Sequence, residues 1–267
     1  MSRQFTRDSS LEIAAGRLYD GSVNKYGRAT NGIQTTATDI WDRADAAATQ
    51  QIWIAPTAAR IHAIASTNDN DGKTGAPTST GMRTVRIWGL QTWGTAESSE
   101  DITLDGTTGV NTANSYVIIH RMKMLTHGTA GPNVGNITAT AAVDGTITAQ
   151  ISAGEGQTLM AIYGIPSTQT AYMTCFVVNS HESANPATAS ECDFTMFINE
   201  SPDVDALPAG FLNKANIGLR TTGTLAYERC YNPYLKITGP AIIKFQAIAT
   251  AADIAGVAEF DVILETN

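Results

Sequence analysis

The sequence is short of charge, of aromatic rings and of cysteine, and each shortage closes off a class of protein. Only 16% of its 267 residues are charged. A helical protein covers its outer faces with Lys, Glu, Arg and Gln, so an all-helical fold is excluded by supply alone. Basic residues are the scarcer sign, 17 against 25 acids, for a net charge of −8. A protein that grips nucleic acid by neutralising phosphates needs the opposite balance. Arg83 with Arg86, and Arg121 with Lys123, are local basic pairs. At strand spacing such pairs read as a solvated face.

Cys175, Cys192 and Cys230 are odd in number and show neither C-x-x-C nor Cys/His ligand spacing, so no zinc site is expected. Cys175 lies in the apolar run AYMTCFVV and reads as a small buried hydrophobe. A Cys175–Cys192 bridge is not expected, because spacing alone does not bring two Cα atoms within reach. No apolar run approaches the roughly 18 residues of a membrane span, and the start MSRQFTRDSS has no apolar leader core. The expectation is a soluble chain made in a reducing cytoplasm, where the sequons at Asn136 and Asn199 have no role.

What the sequence has in excess is Ala, Thr and Gly: 38, 36 and 23 residues, over a third of the chain. Thr is β-branched and suits the outward positions of a sheet, Gly shapes turns, and Ala lets sheets or subunits approach closely. Period-2 patterning follows from Ile52 onward. In SYVIIHRMKM, Tyr116, Ile118, His120, Met122 and Met124 form the predicted inward face, and Val117, Ile119, Arg121 and Lys123 the other. In VAEFDVIL, Ala258, Phe260, Val262 and Leu264 face in, and Glu259 and Asp261 face out. Similar strands are read in RIHAIAS, RTVRIWGL, ITATAA, TITAQI, TLMAIYGI, AYMTCFVV, CDFTMFI, YLKIT and AIIKFQAIA. Asp105-Gly106 and Asp144-Gly145 are type I′ hairpin signals.

About ten short strands at near-regular spacing predict an all-β fold, an antiparallel β-sandwich with jelly-roll or Greek-key connections. Residues 1–38 are polar, with Gly16, Gly21, Gly27 and Gly32 at intervals, and read as an extended N-terminal arm that wraps its own domain or a neighbouring subunit. Residues 39–267 read as a single sandwich domain. Asp39 to Gln51 reads as one or two helical turns, and the stretches 68–82 and 200–216 as contact loops.

No constellation of catalytic residues stands out. The loop NDNDGKTG, residues 68–75, resembles a calcium loop but fails its spacing, because with Gly72 in the glycine position Thr67 and Thr78 fall where the acids belong. In GEGQTL, Leu159 occupies the third glycine position of a phosphate loop. His62 and His120 read as strand residues, and His127 and His181 are scattered. Trp41, Trp53, Trp88 and Trp93 read as core or interface, with a sugar-stacking platform as the alternative. No catalytic, cofactor-binding or metal residue is assigned.

The segments DIWD (39–42), NVGNIT (133–138), AGEGQTLMAIYGIPSTQTAY (153–172) and GPAIIKFQAIATAADIAGVAEFDVIL (239–264) resemble a widespread group of tailed-bacteriophage virion structural proteins, common in marine phages. The likeness covers residues 39–264 in scattered blocks, none of them a catalytic motif. It departs after DIW, where relatives carry a Gly-rich stretch and this chain has DRADAAATQQ. The resemblance implies a non-enzymatic virion component: an outer capsid decoration or cement protein or a short head fibre, homotrimeric, partnered with itself and the major capsid protein, and needing no cofactor, nucleic acid or membrane. The alternatives are a tail, collar or baseplate component and a carbohydrate-binding host-attachment module.

Overall fold

In a computed structural model the chain is described over residues 9–43, 50–72, 79–182, 190–204, 210–220, 225–252 and 254–267. The helix α1 (Ser9–Ala14) is followed by strands β1 (Gly21–Ile33), β2 (Thr38–Asp39), β3 (His62–Ser66), β4 (Met82–Leu90), β5 (Ser98–Thr103), β6 (Val110–Asn111), β7 (Ile118–His127) and β8 (Ile137–Ala141). The chain continues through β9 (Ile147–Ile151), β10 (Ile162–Ile165), β11 (Gln169–Glu182), β12 (Glu191–Asn199), β13 (Phe211–Arg220), β14 (Leu225–Thr238), β15 (Ala241–Ala249) and β16 (Ile254–Thr266). Among the described residues no helix is long and apolar enough to cross a membrane.

The molecule is nearly all-β and its sheets are antiparallel, as composition and alternation require. It differs from the expected two-sheet sandwich in having four sheets, arranged in a propeller-like ring. The first runs β1-β16-β11-β14, the second β10-β15-β12-β13 with β2 added to β15, the third β6-β3-β8-β9 and the fourth β5-β4-β7. Alternation selects faces but not partners, and partners decide the count: β3, β6, β8 and β9, of at most five residues, pair with one another in a small sheet, whereas β10, of four, pairs with β15 in the second sheet.

The predicted faces hold where a strand is half buried. Tyr116, Ile118, His120 and Met122 are buried while Arg121 and Lys123 are exposed, and Ala258, Phe260, Val262 and Leu264 are buried. Ile119 is also buried, at the point where the β4–β7 register shifts between Trp88 with Arg121 and Gly89 with Ile119. The two larger sheets meet across Phe176, Phe245 and Phe260, with ring centroids 5.5 and 5.7 Å apart. At Asp144-Gly145 the chain does turn between β8 and β9, but the positive φ angles fall on Val143 and Gly145, so the turn is not the simple type I′. The Asp144 carboxylate is taken by Thr57 N, Thr57 Oγ1 and Arg60 Nε.

The N-terminal stretch read as an arm is extended but integrated. Residues 21–33 form β1, which pairs along β16 from Gly21 with Leu264 to Ala29 with Gly256. Gly27 allows the crossing: a Cβ there would sit 2.2 Å from Ala161 N and 2.6 Å from Ile40 O. The helical turns expected at 39–51 do not begin, since Thr38–Asp39 is a strand and Trp41 forms a bridge with Met160; residues 44–49 lie outside the described residues. Of the expected contact loop 200–216, residues 211–216 belong to β13.

Residues 38–53 tie the sheets together. Asp39 is fully buried and accepts from Lys244 Nζ at 2.9 and 3.0 Å, Gln246 Nε2 at 2.9 Å and Trp53 N at 2.8 Å. The Trp53 indole N–H donates to Thr148 O on β9, and Asp42 accepts from Arg28 on β1 and from Ser152 N.

The cysteine expectation is corrected. Cys175 and Cys230 stand opposite each other on β11 and β14 and form a disulfide, leaving Cys192 buried and free. Sequence distance hid the pair, because 55 residues separate partners that the strand register makes adjacent. Non-reducing peptide mapping should recover a Cys175–Cys230 peptide and alkylate Cys192 only after unfolding. Cys230→Ser should cost about 2–4 kcal/mol, seen as a fall of several degrees in melting temperature. Deleting residues 1–38 removes β1 and should unfold the domain by exposing β16, which circular dichroism of the truncated chain would detect.

Candidate functional site

Most buried polar groups in this chain have partners, so a place where they do not stands out. One such place is a cavity of about 520 Å³ lined by β1 and β7, by residues 157–159, and by Glu97 and Tyr163. Its floor starts from an anomaly in β1. Val23, Lys25, Gly27 and Ala29 share the inward face of that strand, and Lys25 is a charge where alternation calls for an apolar residue.

Lys25 is only 7% exposed, and its ammonium donates to His120 O at 2.6 Å, its one acceptor among the described residues. Burial, reinforced by the nearby Arg121 charge and opposed by Glu97, brings the Lys25 pKa down to about 7. His120 Nε2 lies 2.5 Å from Glu97 Oε2. Because a carboxylate accepts, the imidazole proton belongs on Nε2, which leaves Nδ1 a bare acceptor. That Nδ1 is buried without a partner. Burial pushes the His120 pKa down despite Glu97, so the ring is neutral at pH 7. Glu97 is driven up by burial but pulled further down by its bond to His120 and by the charges of Lys25 and Arg121, so it is ionised.

Two more groups complete the lining. The Tyr163 ring packs on His120 at 4.6 Å, and burial followed by the Glu97 charge keeps its hydroxyl protonated. Arg121 is exposed, lies over the Trp88 ring at 4.9 Å and forms no ion pair among the described residues. Asn24, Tyr26, Gln157 and Thr158 add amides and hydroxyls.

Of the residues singled out in the sequence, His120 and Arg121 are part of this cluster and Leu159 lines the cavity; the others lie elsewhere. In the calcium-like loop, Asp71 is fully buried and accepts from Ser66 Oγ, Met82 N, Val134 N and Gly135 N at 2.7–2.8 Å. Asp69 accepts from Thr107 N and Oγ1, which hold its carboxyl below the usual range. Both acids serve the protein's own donors, and residues 73–75 lie outside the described residues. Gly154 and Gly156 both have positive φ in a turn anchored by Asn133. His62 is buried with Nδ1 on Arg60 O. His127 is exposed, and the side chain of His181 lies outside the described residues. Trp41 and Trp53 are in the core, Trp88 is half-buried against Arg121, and Trp93 lines a separate cavity of about 490 Å³. A platform of all four tryptophans is therefore not formed. Among the described residues, Cys175, Glu228 and Cys230 form the one acid and cysteine group close enough to share a metal ion, but its two sulfurs are joined to each other.

A second unsatisfied feature is β14, the edge of the first sheet. From Ala226 to Lys236 each residue is exposed except Tyr231 and Leu235, which are half-buried. Tyr227 and Tyr234 are 40% and 53% exposed.

No family model matches the chain, and no curated protein does. Among solved structures, the chain is similar to two described as infectious bursal disease virus, Gt and Gx strains. The first shows 9% identity and a TM-score of 0.24 over 92% of this chain and 72% of the other. The second shows 8% identity and a TM-score of 0.20 over 91% and 70%. Neither value carries a shared fold.

The cavity chemistry makes a pH prediction. Between pH 7 and 10.5 the unfolded chain keeps the Lys25 proton and the folded chain does not, so ΔG of unfolding rises with pH across that window. Lys25→Met should remove a rise on the order of a few kcal/mol, read as the difference between urea midpoints of parent and variant at pH 7 and pH 10.

Proposed function

We propose that the chain is a non-enzymatic structural component of a tailed-phage virion, an outer capsid decoration or cement protein or a short head fibre, acting as a homotrimer bound to other virion proteins. The observation that carries this reading is β14. A 14-residue edge strand, exposed on both faces over most of its length, is a template for pairing that a monomer would have to protect. Pro233 and Lys236 guard its C-terminal part, but residues 225–231 contain no proline or lysine.

The occupant that fits is a second copy of the chain. Tyrosines supply rigid amphipathic contact area at interfaces, and Tyr227, Tyr231 and Tyr234 recur along the strand. A net charge of −8 keeps separate copies soluble until that surface is covered. The two larger sheets also contact each other through Phe176, Phe245 and Phe260, an apolar seam that holds the exposed β14 sheet on a fixed base. The blocks that resemble phage proteins also converge: DIWD meets the C-terminal block through Asp39 and Lys244, and NVGNIT meets GEGQT through Asn133 and Gly156. The likeness therefore falls on the joints of the fold.

Size-exclusion chromatography with light scattering should give about 85 kDa, three times 28.2 kDa. Replacing Tyr227 and Tyr234 together with Lys should return the monomer mass with unchanged circular dichroism. A parent chain that remains monomeric at micromolar concentration would overturn the trimer. Micrographs of particles that place the protein in six-fold or twelve-fold rings would move it from the capsid to the tail or collar.

A further inference from the structure

We propose that the cavity lined by Lys25, Glu97, His120 and Arg121 is a binding site for a small sugar acid, with the ligand carboxylate seated between Lys25 and Arg121 and a ligand hydroxyl donating to His120 Nδ1. The proposal does not depend on the virion reading.

Charge balance calls for the carboxylate. Below pH 7, where Lys25 keeps its proton, two cations, Lys25 and Arg121, line the cavity against one acid, Glu97, whose Oε2 is engaged by His120. The site is thus short of one negative charge. A monoanion supplies it, whereas a dianion such as sulfate would meet the Glu97 charge with one negative charge in excess. Lys25 retains two ammonium N–H groups beyond its bond to His120 O, and the Arg121 guanidinium offers planar donors suited to a carboxylate.

Hydrogen-bond accounting calls for the hydroxyl. His120 Nδ1 is a buried acceptor without a donor among the described residues, and leaving such a group unpaired is unfavourable. A simple carboxylate has no O–H to give it, but a sugar acid has several. The remaining lining includes Gln157, whose side-chain amide offers both a donor and an acceptor of the kind a saccharide ring uses. The cavity volume of about 520 Å³ lies in the range of small-ligand sites.

Titration calorimetry of the full chain at pH 6, with glucuronate, galacturonate and N-acetylneuraminate as probes, tests the site. At least one sugar acid should bind, and glucose and acetate should bind tenfold or more weakly. Arg121→Gln, at an exposed position that leaves the fold intact, should weaken the sugar acid at least tenfold. Lys25→Met should do the same, and its circular dichroism reports whether it folds. Absence of binding by all three acids, glucose or acetate binding as tightly as the acids, or unchanged affinity in Arg121→Gln would each overturn the proposal. None of these results bears on the mass of the assembled protein, so the two readings fail separately.

Discussion

The arrangement of the four sheets depends on one buried carboxylate. Asp39 has no exposed surface and sits among Lys244, Gln246 and the Trp53 backbone N–H, with all donors within 3.0 Å. Desolvating an aspartate and a lysine together is expensive, and an apolar pair of similar volume is often as stable. What the ion pair adds is register. Only one alignment of β2 on β15 places Asp39 beside Gln246 and within reach of Lys244. Once that alignment is set, Trp41 bridges Met160, Trp53 reaches Thr148 on β9, and Asp42 reaches both Arg28 on β1 and Ser152. A segment of sixteen residues, 38–53, therefore touches three of the four sheets, and removing either charge would leave the other buried alone.

Strand positions and faces were legible because period-2 patterning is a local signal. The runs from RIHAIAS to VAEFDVIL all contain strands, and β7 and β16 bury the side chains that alternation selects. What local patterning does not encode is which strands share a sheet. The Cys175–Cys230 bridge shows this most clearly, since its register joins residues 55 positions apart. The same limit applies to the choice between two sheets and four, which rests on strand pairings that join residues far apart in the sequence.

The candidate site was hidden for a more specific reason. On β1 the inward residues after Gly21 are Val23, Lys25, Gly27 and Ala29, so only Val23 carries a hydrophobic signal of any size and the strand reads as an unpatterned arm. The outward series Ser22, Asn24, Tyr26 and Arg28 is polar throughout, and that one-sided polarity was the available clue. Composition also proved subtler than a division into inward Ala and outward Thr. Thr38, Thr112 and Thr158 are buried, and their hydroxyls serve backbone groups of residues 34, 62 and 122 where regular pairing lapses. Thr excess thus serves both to cover sheets and to satisfy the irregular junctions between them.

The two buried lysines set structural and binding roles apart. Lys244 faces a carboxylate that contacts it through both oxygens, and the Phe211 ring lies 4.6 Å from its charge, so that group is fully compensated within the chain. Lys25 has a single carbonyl and stands near Arg121, a second cation that opposes its charge. A fold that needed Lys25 only for packing would be served as well by an apolar side chain, which would avoid desolvating an ammonium. The residue sits beside a neutral histidine with an unpaired nitrogen and opens into a cavity rather than into packed side chains. A buried ammonium with one carbonyl acceptor, beside an unpaired imidazole nitrogen and at a cavity, in a chain that surrounds Asp39 and Asp71 with donors, supports recognition rather than stability as the role of Lys25.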